Sequence, residues 1–276
     1  MPYAASRLTL SFPRFLALVV TFGLLFMTAA CDSAAPTDPT DPPPVTPPPV
    51  DPPPVDPPPV DPPPVDPPEE EEVAVGAAYP NAADGRVILV NADGDRFVLW
   101  NPSNGSFSNA RNVSTLENGD LPYGEIGAAV STTGNSETYF FDTRGENYAV
   151  YERDESEFDE SEEFGEDDTD FVDADIEEVR AAFAIGAQFF LFDQQGTRYQ
   201  AYNYEQESWS SLFSFLTDFG GGGTPIASVG AAVNVGGLVY LFNRDGTEYT
   251  IYNDANRSFS DDFDIDELGD GTLSFE

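Results

Sequence analysis

Carboxylates are nearly the only side chains in this sequence that could do chemistry. The 276 residues carry 50 Asp and Glu against 11 basic residues, all Arg, with no His and no Lys, and the formal net charge is −39. Without histidine there is no Ser-His-Asp or Cys-His catalysis, no His-ligated zinc and no bis-histidine haem. Without lysine there is no Schiff base and no phosphate-binding glycine loop with its lysine. Nucleic acid is not an expected partner, because phosphate binding needs clustered Lys and Arg. A carboxylate pair could hydrolyse a glycoside. With 50 acids, however, pairs can be drawn anywhere and no spacing singles one out, so the chain reads as a non-enzyme.

The acids are unevenly spread. Between Glu152 and Glu178, 16 of 27 residues are acidic. Like charges at this density repel, and the segment is expected to be a solvated, mobile loop. Within it Asp167, Asp168, Asp170 and Asp173 could hold Ca²⁺, although no Asp-x-Asp-x-Asp-Gly loop of EF-hand spacing occurs there. Asp264, Asp266, Asp270 and Gly271 form a second stretch of the same kind. The acidic, lysine-free composition resembles that of halophilic microbes. In brine the Debye length falls to about 3 Å at 1 M and the self-repulsion is screened.

The one cysteine, Cys31, closes an export signal. Arg7 and Arg14 supply a positive start, Phe15 to Met27 is an apolar run, and Thr28, Ala29 and Ala30 are small. Small residues ending in a cysteine resemble a bacterial lipoprotein processing site. That resemblance implies removal of residues 1–30 and lipidation of Cys31. The mature chain is then anchored in the cell envelope without spanning the membrane. The outer membrane or cell surface is the favoured location and the periplasmic leaflet the alternative. Residues 31–72 form a stalk, of which 41–68 repeat Asp-Pro-Pro-Pro-Val with Thr46 replacing one aspartate. Proline permits neither helix nor sheet ladder. A polyproline II rod of this length reaches about 85 Å at about 3.1 Å per residue.

The elements that would position any site come from a motif written four times. Gly94, Phe97, Trp100 and Phe107 recur as Gly145, Tyr148, Tyr151 and Phe158, as Gly196, Tyr199, Tyr202 and Trp209, and as Gly246, Tyr249, Tyr252 and Phe259. Such a period marks propellers, solenoids and arrays. The repeats lie near 73–123, 124–176, 177–226 and 227–276. Each opens with a short small-residue strand, as in Val75-Gly76-Ala77-Ala78-Tyr79. A second, wholly apolar strand follows, as in Val87 to Val90, whose composition implies burial on both faces. Next comes a turn with Asn or Asp first and Gly fourth, as in Asn91 to Gly94. The third strand carries aromatics three apart, an odd spacing that points them to opposite faces. Four such sheets set radially bury both faces, so the expected fold is all-β, a four-bladed propeller. Two stacked β-sandwich modules are the alternative. Gly220 to Gly223 reads as a flexible connector between the third and fourth repeats.

These repeats, each with Ala-Ala near its start and Gly-x-x-aromatic later, resemble haemopexin-type repeats over residues 75 to about 265. The resemblance implies a four-bladed propeller that binds proteins, small ligands or ions, and with a lipid anchor and stalk it suits recognition of a protein, a glycan or a calcium-bridged polymer at the cell envelope. It also implies an axial tunnel lined by inner-strand carbonyls that can hold a cation such as Ca²⁺ or Na⁺. By position those carbonyls belong to Ala77, Ala128, Ala181 and Ala231. Haemopexin repeats usually open with Asp-Ala-Ala; here Gly76, Gly127, Arg180 and Gly230 replace the aspartate. Haem is not expected, since no histidine is present. A structural spacer of the envelope is the alternative function.

Overall fold

The computed structural model describes residues 73–276 apart from 82, 120, 135, 167 and 168. The signal, Cys31 and the stalk lie outside the described residues. Four antiparallel sheets follow one another along the chain. Blade 1 is built from Val75–Pro80, Val87–Asn91, Arg96–Trp100 and Arg111–Asn112. Blade 2 has Ala128–Ser131, Glu137–Phe141, Asn147–Glu152 and Glu157–Phe158, blade 3 Ala181–Ile185, Gln188–Phe192, Arg198–Asn203 and Ser208–Trp209. Blade 4 has Ala231–Val235, Leu238–Phe242, Glu248–Asn253 and Ser258–Asp264. The inner strands neighbour one another in sequence order, and that of blade 4 neighbours that of blade 1, closing a ring. The fold is a four-bladed β-propeller, not a pair of sandwiches.

The aromatic spacing works as its parity requires. Tyr148 packs into the core between blades 2 and 3, while Tyr151 packs into that between blades 1 and 2. Tyr199 and Tyr202 divide in the same way between the 3–4 and 2–3 cores. The last aromatic of the motif pairs across strands with the middle one in every blade: Trp100 with Phe107, Tyr151 with Phe158, Tyr202 with Trp209, Tyr252 with Phe259. Each blade therefore carries the same aromatic ladder out to its rim.

The turns behave as their residue types dictate. Gly94 N–H bonds to Asn91 O at 3.0 Å, and Asn91 Oδ1 accepts the N–H groups of Asp95 and Arg96 at 3.1 and 2.9 Å. Asp142, Asp193 and Asn243 do the same in the other blades. The four turn glycines have φ between 66° and 80°. They also have a second task. Each glycine carbonyl accepts the N–H of the residue that begins the next blade: Ile126 at 2.9 Å, Val179 at 3.0 Å, Val229 at 2.9 Å and, across the closure, Val75 at 3.1 Å.

The acidic segment differs from expectation. It is folded onto the propeller, with Phe164, Phe171 and Ile176 buried in the core between blades 2 and 3. Trp209 Nε1–H donates to Val172 O at 2.8 Å, and Gln200 exchanges hydrogen bonds with Asp175. The apolar residues spaced among the carboxylates outweigh the repulsion, because each is fully withdrawn from water.

Candidate functional site

The inner strands end in a cavity of about 350 Å³ at the propeller axis. Each inner strand is the edge of its sheet, so every second residue turns an unpaired N–H and C=O toward the axis. Which residues do so is set by a bulge. Gly127 N–H donates to Phe141 O although Ala128 is the residue opposite Phe141, so two residues face one. Arg180 and Gly230 repeat the arrangement opposite Phe192 and Phe242, and Gly76 interrupts the register in blade 1.

Further along, Asn81 N–H bonds to Arg86 O at 2.7 Å and Thr132 N–H to Glu137 O at 3.0 Å, within their own blades. Alternation then turns Pro80 and Ala78, and Ser131 and Ala129, to the axis. Ala78, Ala129, Ala182 and Ala232 line the cavity. Ala77, Ala128, Ala181 and Ala231, the expected carbonyl donors to a cation, do not; by the same alternation their polar groups face their own second strands. The axial set is displaced by one residue because the bulge resets the alternation.

No acidic or basic side chain lines the cavity among the described residues. In a chain of net charge −39 that is a local exception. The rim is tied across blades. Asn234 Nδ2 donates to Ala184 O at 2.7 Å, Thr133 N–H to Tyr204 Oη at 3.0 Å, and Tyr204 Oη–H and Thr133 Oγ1–H both to Gly186 O. Sequence reasoning missed Asn234. Its signal was available, since the matching positions in the other repeats are Pro80, Ser131 and Ala184. The Ser131 hydroxyl is turned to Thr138 at 2.9 Å and the Asn234 Oδ1 accepts the Gly237 N–H at 3.0 Å, so any oxygen ligands offered to the axis are backbone carbonyls.

At the opposite end of the inner strands Arg180 takes the place held by glycine in the other blades. Burial, reinforced by Arg244, holds its guanidinium below the ordinary arginine pKa.

The second region of interest surrounds Tyr139 and Tyr148 of blade 2. Tyr148 Oη–H donates to Glu162 and accepts the N–H of Asp170 at 3.1 Å. Glu137 and Asp170 lie near the Tyr139 hydroxyl. Desolvation raises both carboxyl pKa values, assisted by Glu152 at Glu137 and by Glu162 at Asp170. Of the four acids expected to hold Ca²⁺, Asp170 belongs to this tyrosine network and Asp173 is exposed with φ of 64°. Asp167 and Asp168 lie outside the described residues. Among the described residues no three acids are grouped closely enough to hold a metal ion.

No protein-family model and no curated protein matches the sequence. Solved structures do match. A hemopexin fold protein from cow pea, CP4, superposes with a TM-score of 0.54 at 18% identity, over 72% of this chain and 95% of that one. The fold is that of a haemopexin-type propeller. A 2S albumin seed protein from Dolichos gives a TM-score of 0.52 at 16% identity, over 72% and 97% of the two chains. A plant albumin from Cicer arietinum, described as showing hemagglutination, gives 0.51 at 21% identity, over 71% and 96%. At these identities the likeness is one of fold. In this haemopexin-type propeller Arg180 and the carboxylate density of residues 152–178 have no counterpart in the other repeats.

Proposed function

We propose that this chain is an exported, lipid-anchored envelope protein whose propeller binds and does not catalyse. The observation that carries the binding reading is the axial mouth, an uncharged cavity of about 350 Å³ with a cross-braced rim in an otherwise acidic molecule. A hard cation, Ca²⁺ or Na⁺, suits it: the edge carbonyls of Ala78, Ala129, Ala182 and Ala232 supply oxygen ligands without charge, and the acidic surroundings raise the local cation concentration. Protein or glycan partners would meet the loops at the blade tops, which differ between repeats. Lipidated Cys31 and the proline stalk would hold the propeller away from the membrane.

Two measurements test this. Equilibrium dialysis of the mature chain against ⁴⁵Ca²⁺ at fixed ionic strength is expected to show a saturating class of one ion per chain. Diffuse binding that never saturates would refute an axial site. Cell fractionation of wild type and Cys31→Ser is expected to move the protein from the membrane to the soluble fraction. Equal membrane association of the two would refute the lipid anchor.

A further inference from the structure

The outer clefts between blades 2 and 3 and between blades 3 and 4 are pseudo-equivalent, but the second differs in character. Between blades 2 and 3, Phe171 wedges between Tyr148 and Tyr202, with ring centroids 4.9 and 5.2 Å away. Between blades 3 and 4, Phe219 does the same between Tyr199 and Tyr252 at 5.4 and 4.9 Å. Each phenylalanine is preceded by an aspartate, Asp170 or Asp218. This equivalence allows the surrounding residues to be matched by place. Glu137 and Gln188 each begin a second strand, and Tyr139 and Phe190 are third in those strands. Glu207 and Arg257 each precede the outer strand with φ of 48° and 53°.

Three substitutions thus separate the clefts. A glutamate becomes Gln188, a phenol becomes the bare ring of Phe190, and a glutamate becomes Arg257. In the 2–3 cleft the Tyr148 hydroxyl donates to Glu162. In the 3–4 cleft Phe190 has no hydroxyl, and Asp218 and Asp254 line an open cavity of about 380 Å³ together with Gln188, Phe190 and Arg257. Asp218 spends one carboxylate oxygen on the Ser214 N–H at 2.8 Å, leaving the other for the cleft. Phe190 stacks on Phe183 at 4.9 Å and 2°, Tyr199 and Phe219 each lie 6.1 Å from its ring, and the part left exposed borders the cavity. At the floor, Gly220 passes so close to Tyr252 that a Cβ would lie 2.7 Å from its ring.

We propose that this cleft binds a neutral saccharide unit of a glycan chain, independently of the axial site. A pyranose presents one face of C–H groups and a rim of hydroxyls. The C–H face suits the apolar wall that Phe190 presents to the cavity. Each hydroxyl both donates and accepts, and the cleft supplies acceptors at Asp218 and Asp254, donors at Arg257, and both at Gln188. Such a mixed set with an aromatic wall is what small polar ligands need. The ligand is a neutral sugar and not a uronate chain, because a protein of net charge −39 repels polyanions.

The test is calorimetric titration of the mature chain with cellohexaose, mannohexaose and laminarihexaose, and with polygalacturonate as the charged counterpart. Saturable binding of at least one neutral hexaose is expected, weakened about tenfold or more by Arg257→Gln, which removes one charge-assisted donor from an exposed position. Phe190→Leu keeps the volume apolar and is expected to weaken binding similarly. Glu205→Gln, outside the cleft, is expected to change nothing. Melting curves confirm that each variant is folded. The proposal is overturned if no neutral hexaose binds, if polygalacturonate binds more tightly, or if folded Arg257→Gln binds as wild type does. None of these outcomes bears on calcium at the axis.

Discussion

The Val75 N–H donates to the Gly246 carbonyl at 3.1 Å, joining the first strand of blade 1 to the turn of blade 4. Three other glycines make this bond between consecutive blades, so the closure is one more copy of an internal joint. A Cβ at Gly246 would lie 2.4 Å from Val75 O, and the residue has φ of 76°.

Gly246→Ala is therefore expected to destabilise the fold by more than the roughly 1–3 kcal/mol of a left-handed non-glycine residue, since the closing contact must also open. Gly85→Ala is the control. Its φ is 71° but nothing lies within 4 Å of the added carbon, so only the conformational cost of about 1 kcal/mol applies. Chemical denaturation of both variants measures the difference. Equal losses would show that Gly246 serves only its own turn.

Phe171→Ala tests whether the acidic strap is part of the core. Phe171 is fully buried among Tyr139, Tyr148, Tyr202 and Trp209. The expected loss is about 3–5 kcal/mol, as for other buried phenylalanines. A solvated loop would lose no more than about 0.5 kcal/mol, and such a value from denaturation would mean that the strap is not docked.

The strap also sets a pH dependence. Glu137 and Asp170 have carboxyl pKa values raised by the fold, so the native state holds their protons more tightly than the unfolded chain does. Their contribution to stability is full below the ordinary carboxylate range and is lost as pH rises through the raised values. The melting temperature is expected to rise on mild acidification from neutrality toward that range. The double variant Glu137→Gln, Asp170→Asn is expected to flatten the response. An unchanged slope in that variant would assign the effect to the general negative charge instead.

The blades were legible in the sequence because period-two alternation leaves no choice about where aromatics three apart must point. Tyr199 and Tyr202 had to face different neighbours, and a closed ring provides both. The bond from Val75 to Gly246 was not legible, since it exists only once the ring has closed. The axial residues were misplaced by one because the bulge at Gly76, Gly127, Arg180 and Gly230 lies between the repeat signature and the tunnel. The strap was misread for another reason. Its charge density masked Phe164, Phe171 and Ile176, the buried residues that dock it.

The most direct test of the axial binding site is the melting temperature of the mature chain as calcium is titrated at constant ionic strength, for wild type and for Ala184→Lys. Ala184 lies at the cavity rim, where a lysine ammonium would repel a cation. The account predicts a saturable rise for wild type at sub-millimolar calcium, because a ligand that binds only the folded state stabilises it. It predicts no rise for a folded Ala184→Lys. A flat wild-type titration, or an equal rise in both proteins, would contradict it.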